Sequence, residues 1–251
     1  MAERLRFTTA PDVIVLAVAD REPRDAALLL RLVTRSRPRA AVVVYCDSRR
    51  AALPSVAGLA AAGVHQFIFA GVNDGPSDLR AILESARQQC AAEVVLSELR
   101  GLLPEVLYPI AEAALARPRQ ITAVQALAGA LGVHRKTLFN RCTQSLDLPP
   151  AEVLAWIRLA LVGYLLESTT STVEAIALKL GYPSHTALRN RIRRYTGLRA
   201  TVIRGGGGLQ LVLNAMRRRL EGQASFHEHS LHLRDLRGNP ATRDHPEKVS
   251  A

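Results

Sequence analysis

One helix-turn-helix pattern occurs twice in this chain, as TAVQALAGALGVHRKTLFNRC (residues 122–142) and as TVEAIALKLGYPSHTALRNRI (residues 172–192). In each copy apolar residues recur at i, i+3, i+4 and i+7, which predicts a short helix with one buried stripe. The stripes are Val124, Leu127, Ala128 and Leu131, then Val173, Ile176, Ala177 and Leu180. Gly132 and Gly181 follow, and glycine tolerates the left-handed conformation that ends a helix and turns the chain.

A second helix is predicted after each glycine. Leu138 and Cys142 would anchor it in the first copy, and Leu188 and Ile192 in the second. The opposite face of each second helix is polar and basic. This layout is typical of a DNA-reading unit, in which the second helix enters the major groove.

A longer helix is predicted between the copies, in PPAEVLAWIRLALVGYLLEST (residues 149–169), with Pro150 at its first position. Its expected apolar face comprises Val153, Leu154, Ile157, Leu161, Tyr164 and Leu165. About 18 helical residues span roughly 27 Å. A rigid helix of that length can hold two recognition helices about one DNA turn, roughly 34 Å, apart.

Residues 104–204 resemble the AraC/XylS family of transcription regulators. The family's Ile-Ala-x-x-x-Gly-Phe is matched by Ile176 to Tyr182, and Gly197 stands where the family has glycine after its second recognition helix. The second turn is one residue longer than the first, as in the family. Further matches are Leu127-Ala128, Arg158-Leu159, Leu165-Leu166 and Arg204. The departures are Cys142, Leu188 and Ile192 at phenylalanine positions, Asp147 at a glycine and Ala200 at a proline.

The resemblance implies which side chains face DNA. For the first unit they are His134, Arg135, Lys136, Phe139 and Asn140, with Arg141 nearby; for the second, Ser184, His185, Thr186, Arg189 and Asn190, with Arg193 nearby. Arginine favours guanine edges and asparagine favours adenine. Arg141, Arg191, Arg193 and Arg194 are expected to meet phosphates. The alternatives are solvated helix faces and, for His134 and His185, local capping or pairing.

The N-terminal part alternates strands and helices. Strands are predicted at 11–20, 39–46 and 64–71, and helices at 25–36, 52–63 and 77–95. Apolar strands separated by helices indicate a parallel sheet of βα units. We therefore expect a partial α/β domain over residues 1–97, an all-α double helix-turn-helix domain over 98–205 that opens with a helix at about 104–116, and over 206–251 a short helix at about 208–220 with a disordered tail.

The α/β order resembles the second half of a response-regulator receiver domain, which has a flavodoxin-like fold. In that register the phosphoacceptor position is Ala17, the Ser/Thr position is Tyr45, and the Lys-Pro pair is replaced by Ala70 and Gly71. Phosphoryl transfer to a carboxylate needs an acceptor and acidic metal ligands, which these residues do not supply. Asp20 could be a displaced acceptor, but the interpretation as an ordinary loop aspartate is favoured. The segment is expected to be a phosphate-independent scaffold or a receiver whose first half is cut off.

The composition limits which partners and sites are expected. Lys and Arg number 33 against 22 Asp and Glu, and the formal net charge of +11 fits a polyanion, although arginine-rich bacterial proteins share this excess. Cys46, Cys90 and Cys142 are scattered, which argues against disulfides and a zinc site and suits the cytoplasm. No apolar run approaches the roughly 20 residues of a membrane span. His227, His229 and His232 in the tail could hold a metal, but incidental histidines are favoured.

The leading interpretation is a sequence-specific, phosphorylation-independent transcription regulator that binds double-stranded DNA. RNA polymerase is a further candidate partner, and an exposed sheet edge predicts a homodimer through the N-terminal domain. No Walker loop, Ser/His/Asp set or paired carboxylates stand out, so we expect no enzyme activity, no cofactor and no metal. The alternatives are a non-specific basic architectural DNA binder and a response regulator controlled by a partner or small ligand at its N-terminal domain.

Overall fold

A computed structural model describes the backbone of residues 13–17, 23–36, 39–47 and 53–237, and the side chains of 13–17, 28–36, 39–47 and 57–222. The N-terminal part contains three parallel strands in the order β1-β2-β3. They are β1 (Val13–Ala17), β2 (Ala41–Cys46) and β3 (Gln66–Phe69). The predicted parallel sheet is confirmed, with strands shorter than predicted. The apolar β2 lies in the middle, where neighbouring layers bury both of its faces.

Helices cover both faces of the sheet. On one face, α1 (Pro23–Ser36) and α2 (Leu53–Ala61) enclose a cluster around Leu30, Val44 and Leu59. On the other face lies α3 (Pro76–Leu99), which packs on Val43 and Ile68. The α/β layering follows from the alternation of buried strands with amphipathic helices.

The receiver-like identity of this part is not confirmed. Ala17 ends β1 and pairs with Tyr45 across the sheet, and Ala70 and Gly71 follow β3, so the three positions meet at one sheet edge as the register requires. At that edge the Tyr45 hydroxyl donates to an Asp74 carboxylate oxygen at 3.4 Å. Asp20 lies outside the described residues.

The long helix α3 belongs to two cores at once. Its first turns present Leu79, Ile82 and Leu83 to the sheet, whereas Ala91, Val95 and Leu99 are buried in the core of the helical part. The predicted domain limit at residue 97 therefore falls within a helix that both parts share. No flexible linker separates the sheet from the helices that follow.

The helical part begins with a 3-10 turn at Glu105–Leu107. It continues through α4 (Tyr108–Ala116), α5 (Val124–Ala130), α6 (Arg135–Leu146), α7 (Pro150–Ser168), α8 (Val173–Lys179), α9 (His185–Thr196), α10 (Ala200–Gly205) and α11 (Gly208–Arg237). The predicted helix at about 104–116 is present as this turn and α4, and its stripe of Leu107, Ile110, Ala111 and Ala114 is buried.

The connecting helix α7 is the centre of the molecule. The predicted apolar face is buried, but the opposite side is buried too, so fifteen of its nineteen residues are inaccessible to solvent. The prediction of a single apolar face was too narrow because α3, α4 and α11 all pack on α7. At the crossing with α11, a Cβ on Gly163 would lie 2.6 Å from the carbonyl oxygen of Gly208, so glycine is required there.

The last helix is longer than predicted. It starts at Gly208, as expected, but runs to Arg237 rather than ending near residue 220. The sequence from 223 to 237 is polar but contains neither proline nor glycine, so nothing local stops the helix. Residues 238–251 lie outside the described part, as do the side chains of the tail histidines.

Within the described ranges, no single helix is long and apolar enough to cross a membrane. The bent pair of α6 and α7, at 73°, meets the length and composition criteria only when the two are taken together.

Candidate nucleic-acid interface

The first helix-turn-helix unit is built from α5 and α6, joined by residues 131–134. Gly132 has φ 63°, the left-handed conformation predicted for it. The Val133 amide donates to the Ala128 carbonyl at 3.1 Å, which closes the end of α5. His134 then caps α6, since its Nδ1 accepts a hydrogen bond from the Lys136 amide at 3.2 Å. The turn thus fixes the angle at which α6 leaves α5.

The second unit repeats this arrangement with α8 and α9, joined by residues 180–184. Gly181 has φ 71°, and the Tyr182 amide donates to the Ala177 carbonyl at 2.9 Å. Ser184 caps α9 by accepting from the Ala187 amide at 3.1 Å. This turn has one residue more than the first, as predicted.

The inner faces of the two second helices are anchored as predicted. Leu138, Cys142, Leu188 and Ile192 are all at most 1% exposed. Burial raises the pKa of the Cys142 thiol to about 11, so it stays neutral at physiological pH and acts as a small apolar side chain. The smaller cysteine therefore fills a phenylalanine position without leaving α6 detached.

The exit turns of α6 and α9 have the same backbone shape. Asp147 has φ 53° and Gly197 has φ 73°, and each donates its amide to the carbonyl four residues earlier at 2.9 Å. Among the described residues Asp147 is the one non-glycine residue with positive φ. Aspartate is one of the few residues that tolerate this conformation, so the missing glycine leaves the first exit turn intact.

The outward faces of α6 and α9 are exposed at the predicted positions. The exposed residues are His134, Arg135, Lys136, Asn140, Ser184, His185, Thr186, Arg189, Asn190 and Arg193. Arg141 is half-buried, and the Phe139 ring is 52% exposed on the same face of α6. His134 and Ser184 already use one side-chain acceptor for capping. Their first role is to start the helices; the Ser184 hydroxyl hydrogen remains available to a phosphate.

A buried arginine ties the two units to the connecting helix. Arg158, 3% exposed in the middle of α7, donates to the carbonyls of Pro118 and Ile121 before α5 and of Leu180 after α8. The Ile121 and Leu180 bonds measure 2.9 and 2.6 Å. One guanidinium thus fixes the start of the first unit and the turn of the second. In the sequence, Arg158 was identified only as a family match. Its position within an otherwise apolar helix was the feature that could have predicted a buried structural role.

The Arg158 guanidinium also lies 4.9 Å from the centre of the Tyr182 ring, and Arg191 lies 5.9 Å from it on the outer side. Burial raises the pKa of Tyr182, while the two arginines act in the opposite direction, so the phenol stays neutral wherever DNA binding is measured. Arg191 was predicted to meet phosphate, and its position over Tyr182 places it beside the second turn.

A second arginine fixes the segment between α7 and α8. Arg204 in α10 donates to the carbonyls of Thr169 and Ser171 at 2.7 and 2.5 Å. Thr172 then caps α8, accepting from the Ala175 amide at 3.1 Å. The second unit is therefore held at its start by Arg204 and at its turn by Arg158.

The described residues contain no group of three or more His, Cys, Asp or Glu side chains placed to hold a metal ion. The outward faces of α6 and α9 each carry cations and amides, with hydroxyls on α9, and these are the groups that bind phosphates and base edges.

A family model for a helix-turn-helix domain matches residues 127–205, which include both turns, α7 and α10. No curated protein and no solved structure matches the chain. The matched region contains the two exposed second helices and the arginines that hold them. Residues 127–205 therefore form a DNA-binding domain of the AraC type, as found in transcription regulators.

Proposed function

We propose that this protein is a sequence-specific transcription regulator that reads two successive major-groove segments with α6 and α9. The observation that carries the proposal is the equivalence of the two units: each has a left-handed glycine, a side-chain cap and an exposed polar face on its second helix. The rigid, buried α7 connects them, so one chain presents two reading helices in a fixed relation. Sequence readout needs such a fixed relation because half-site spacing follows from protein geometry.

Within this proposal, base contacts come from the exposed arginines and asparagines of the two faces. Arg189 and Asn190 stand side by side on α9, and Arg135 and Asn140 lie on α6. Arginine pairs with guanine edges and asparagine with adenine. Phosphate contacts come from Arg193 and other cations further along the helices, which position the protein without reading sequence.

We further propose that the N-terminal part acts without phosphorylation. Ala17 ends β1 and Ala70 follows β3. In the register of the proposed resemblance these are the positions of a receiver's phosphoacceptor and lysine. Neither methyl group can accept a phosphoryl group or bind one. The protein acts by binding, with no enzyme activity, and RNA polymerase is its candidate partner on DNA.

A homodimer through the sheet is part of the proposal. Strand β1 lies at the edge of the sheet, and Val15 on β1 with Leu28 and Leu32 on α1 are at least half exposed. An edge strand with apolar neighbours favours pairing with another chain. A mass measurement at tens of micromolar is expected to show a dimer, and a monomer there would refute this part.

The decisive experiment is selection of genomic fragments by the purified protein at about 150 mM salt, where non-specific binding is weak. It is repeated with Arg189→Ala plus Asn190→Ala. The matched control is Arg100→Ala plus Gln89→Ala, which likewise removes one arginine and one carboxamide side chain, but from an exposed surface far from both reading faces along the chain.

A recurring motif with two half-sites about one helical turn apart is the expected result. The α9 variant should lose or relax one half-site, and the control should keep both. Binding to all fragments with steep salt dependence and no motif would favour the non-specific architectural alternative instead.

A further inference from the structure

A cleft of about 230 Å³ lies where the sheet, α3, the end of α7 and α8 meet. Its lining includes the cations Arg39, Arg87 and Lys179, a single carboxylate from Glu84, and four consecutive hydroxyl residues, 168–171. Two of these cations are paired with carboxylates, Lys179 with Glu84 in the lining and Arg39 with Glu167 beside it. Hydroxyls and cations together are the groups that bind carboxylate and phosphate anions.

Two of the cations are held in place before any ligand arrives. Arg39 pairs with Glu167 at 2.6 Å, and Lys179 pairs with Glu84 at 2.5 Å. Glu167 is fixed in turn, because its second oxygen accepts from the Leu209 amide at 3.2 Å. A preorganised site loses less side-chain freedom on binding than one made of mobile side chains.

Hydrogen bonds to residues elsewhere in the chain hold the hydroxyl segment, residues 168–171, in place. Arg204 donates to the carbonyls of Thr169 and Ser171, and the Thr169 hydroxyl donates to the Leu165 carbonyl at 2.7 Å. The exposed Thr170 lies between these two anchored residues. A ligand in the cleft therefore meets a rigid segment that leads directly into the cap of α8.

We propose that this cleft binds a small anion bearing carboxylate or phosphate groups, with Lys179 as its charged ligand. The anion competes with Glu84 for Lys179, which stands in the last turn of α8. Binding therefore changes the ion pair that joins α3 to the second helix-turn-helix unit. The proposal that an anion binds is argued from the cleft alone, whereas an effect of that anion on DNA affinity rests on the proposed function.

The test is isothermal titration of the full chain with inorganic phosphate and, separately, with succinate, at constant ionic strength with chloride as the reference. We expect saturable binding of at least one of them. Lys179→Gln should weaken it about tenfold, the usual scale for a lost charge-assisted hydrogen bond. Glu84→Gln should tighten it, since a competing negative charge is removed.

The test depends on the opposite changes in anion affinity that the two substitutions should cause, although both break the same ion pair. A purely structural consequence of losing that pair would move both affinities in the same direction and would overturn the site. Arg100→Gln is the matched control: it breaks the exposed Arg100–Glu112 pair, 3.7 Å long, and should leave anion affinity unchanged. Comparing the affinities for phosphate and succinate shows whether the site prefers a phosphate or a carboxylate ligand.

No heat beyond the chloride reference with either anion would also overturn the proposal. A DNA titration with and without the bound anion is a separate arm. If Lys179→Gln weakens DNA binding without anion, and no anion binds, the cleft cations belong to the DNA backbone contact and the anion site is wrong. A failure of DNA binding alone leaves the titration heats interpretable, so the two proposals fail independently.

Discussion

Arg158 connects three backbone segments through one side chain, and its loss should be costly. In Arg158→Leu the carbonyls of Pro118, Ile121 and Leu180 lose their donor inside the core. We expect a destabilisation of about 3 kcal/mol or more, since each buried unsatisfied group costs about 1–3 kcal/mol. Urea denaturation of the full chain measures it.

Arg158→Lys is the matched control for charge. Lysine keeps the cation, but its three donors radiate from one nitrogen, whereas the guanidinium reaches the two carbonyl segments with two separate nitrogens. We expect it to be clearly less stable than the natural protein, though less damaged than the leucine variant. Equal stability of the natural and leucine proteins would show that the carbonyls find other donors.

Asp147 offers a stabilising substitution at the exit of α6. Its φ of 53° strains any side chain with a Cβ, and glycine removes that strain. Asp147→Gly should stabilise the protein by up to about 1 kcal/mol, the scale of a left-handed residue. Gly197→Asp at the equivalent exit of α9 is the reciprocal control and should destabilise. A loss of stability in Asp147→Gly would mean that the aspartate side chain contributes more than its backbone strain costs.

Residue patterns predicted the anchors and outward faces but not the partners of individual polar groups. The buried stripe residues and the ten exposed candidates follow from helical periodicity, because one local rule decides which side a residue faces. Arg158, Arg204 and Lys179 contact segments far along the chain. Their roles depend on tertiary folding, and no periodicity encodes it.

The two turns are alike as elements but differ in what surrounds them. A Cβ on Gly132 would meet nothing within 4 Å, whereas one on Gly181 would lie 2.9 Å from the Arg119 carbonyl oxygen. Both Gly132→Ala and Gly181→Ala incur left-handed strain of about 1–2 kcal/mol. We expect Gly181→Ala to lose distinctly more, because the backbone at Arg119 must also shift. Parallel urea titrations compare them, and equal losses would contradict the crowding at Gly181.

At the level of elements, every predicted helix and strand with described residues is present and α7 has the predicted length, but the burial of α7 on several sides and the length of α11 were not predicted. Helix α7 has charged residues only at Glu152, Arg158 and Glu167, and its own pattern cannot tell one covered face from several. Helix α11 continues because no residue before Gly238 breaks it. For α7 the sequence did not show how many neighbours pack on the helix, and for α11 it did not show where an unbroken helix ends.

For the whole molecule, the shared helix α3 decides where the chain can be cut. A fragment 98–222 follows the boundary predicted from sequence but removes Ala91 and Val95 from the helical core. A fragment 76–222 keeps them. We expect the shorter fragment to be less stable by at least about 2 kcal/mol, the scale of one buried valine. Thermal or urea unfolding of the two fragments decides, and equal stability would support the boundary at residue 97.

The same helix has a consequence for the order in which the protein is made. When α3 leaves the ribosome, its first turns can settle on the finished sheet, but Val95 and Leu99 are only partly covered by α4 until α7 follows and completes the core. Synthesis of the roughly 70 residues between Leu99 and the end of α7 takes about 4–14 s at ordinary rates of translation. For those seconds the newborn chain carries an incompletely covered apolar stripe beside a folded sheet, which is the kind of surface that chaperones bind.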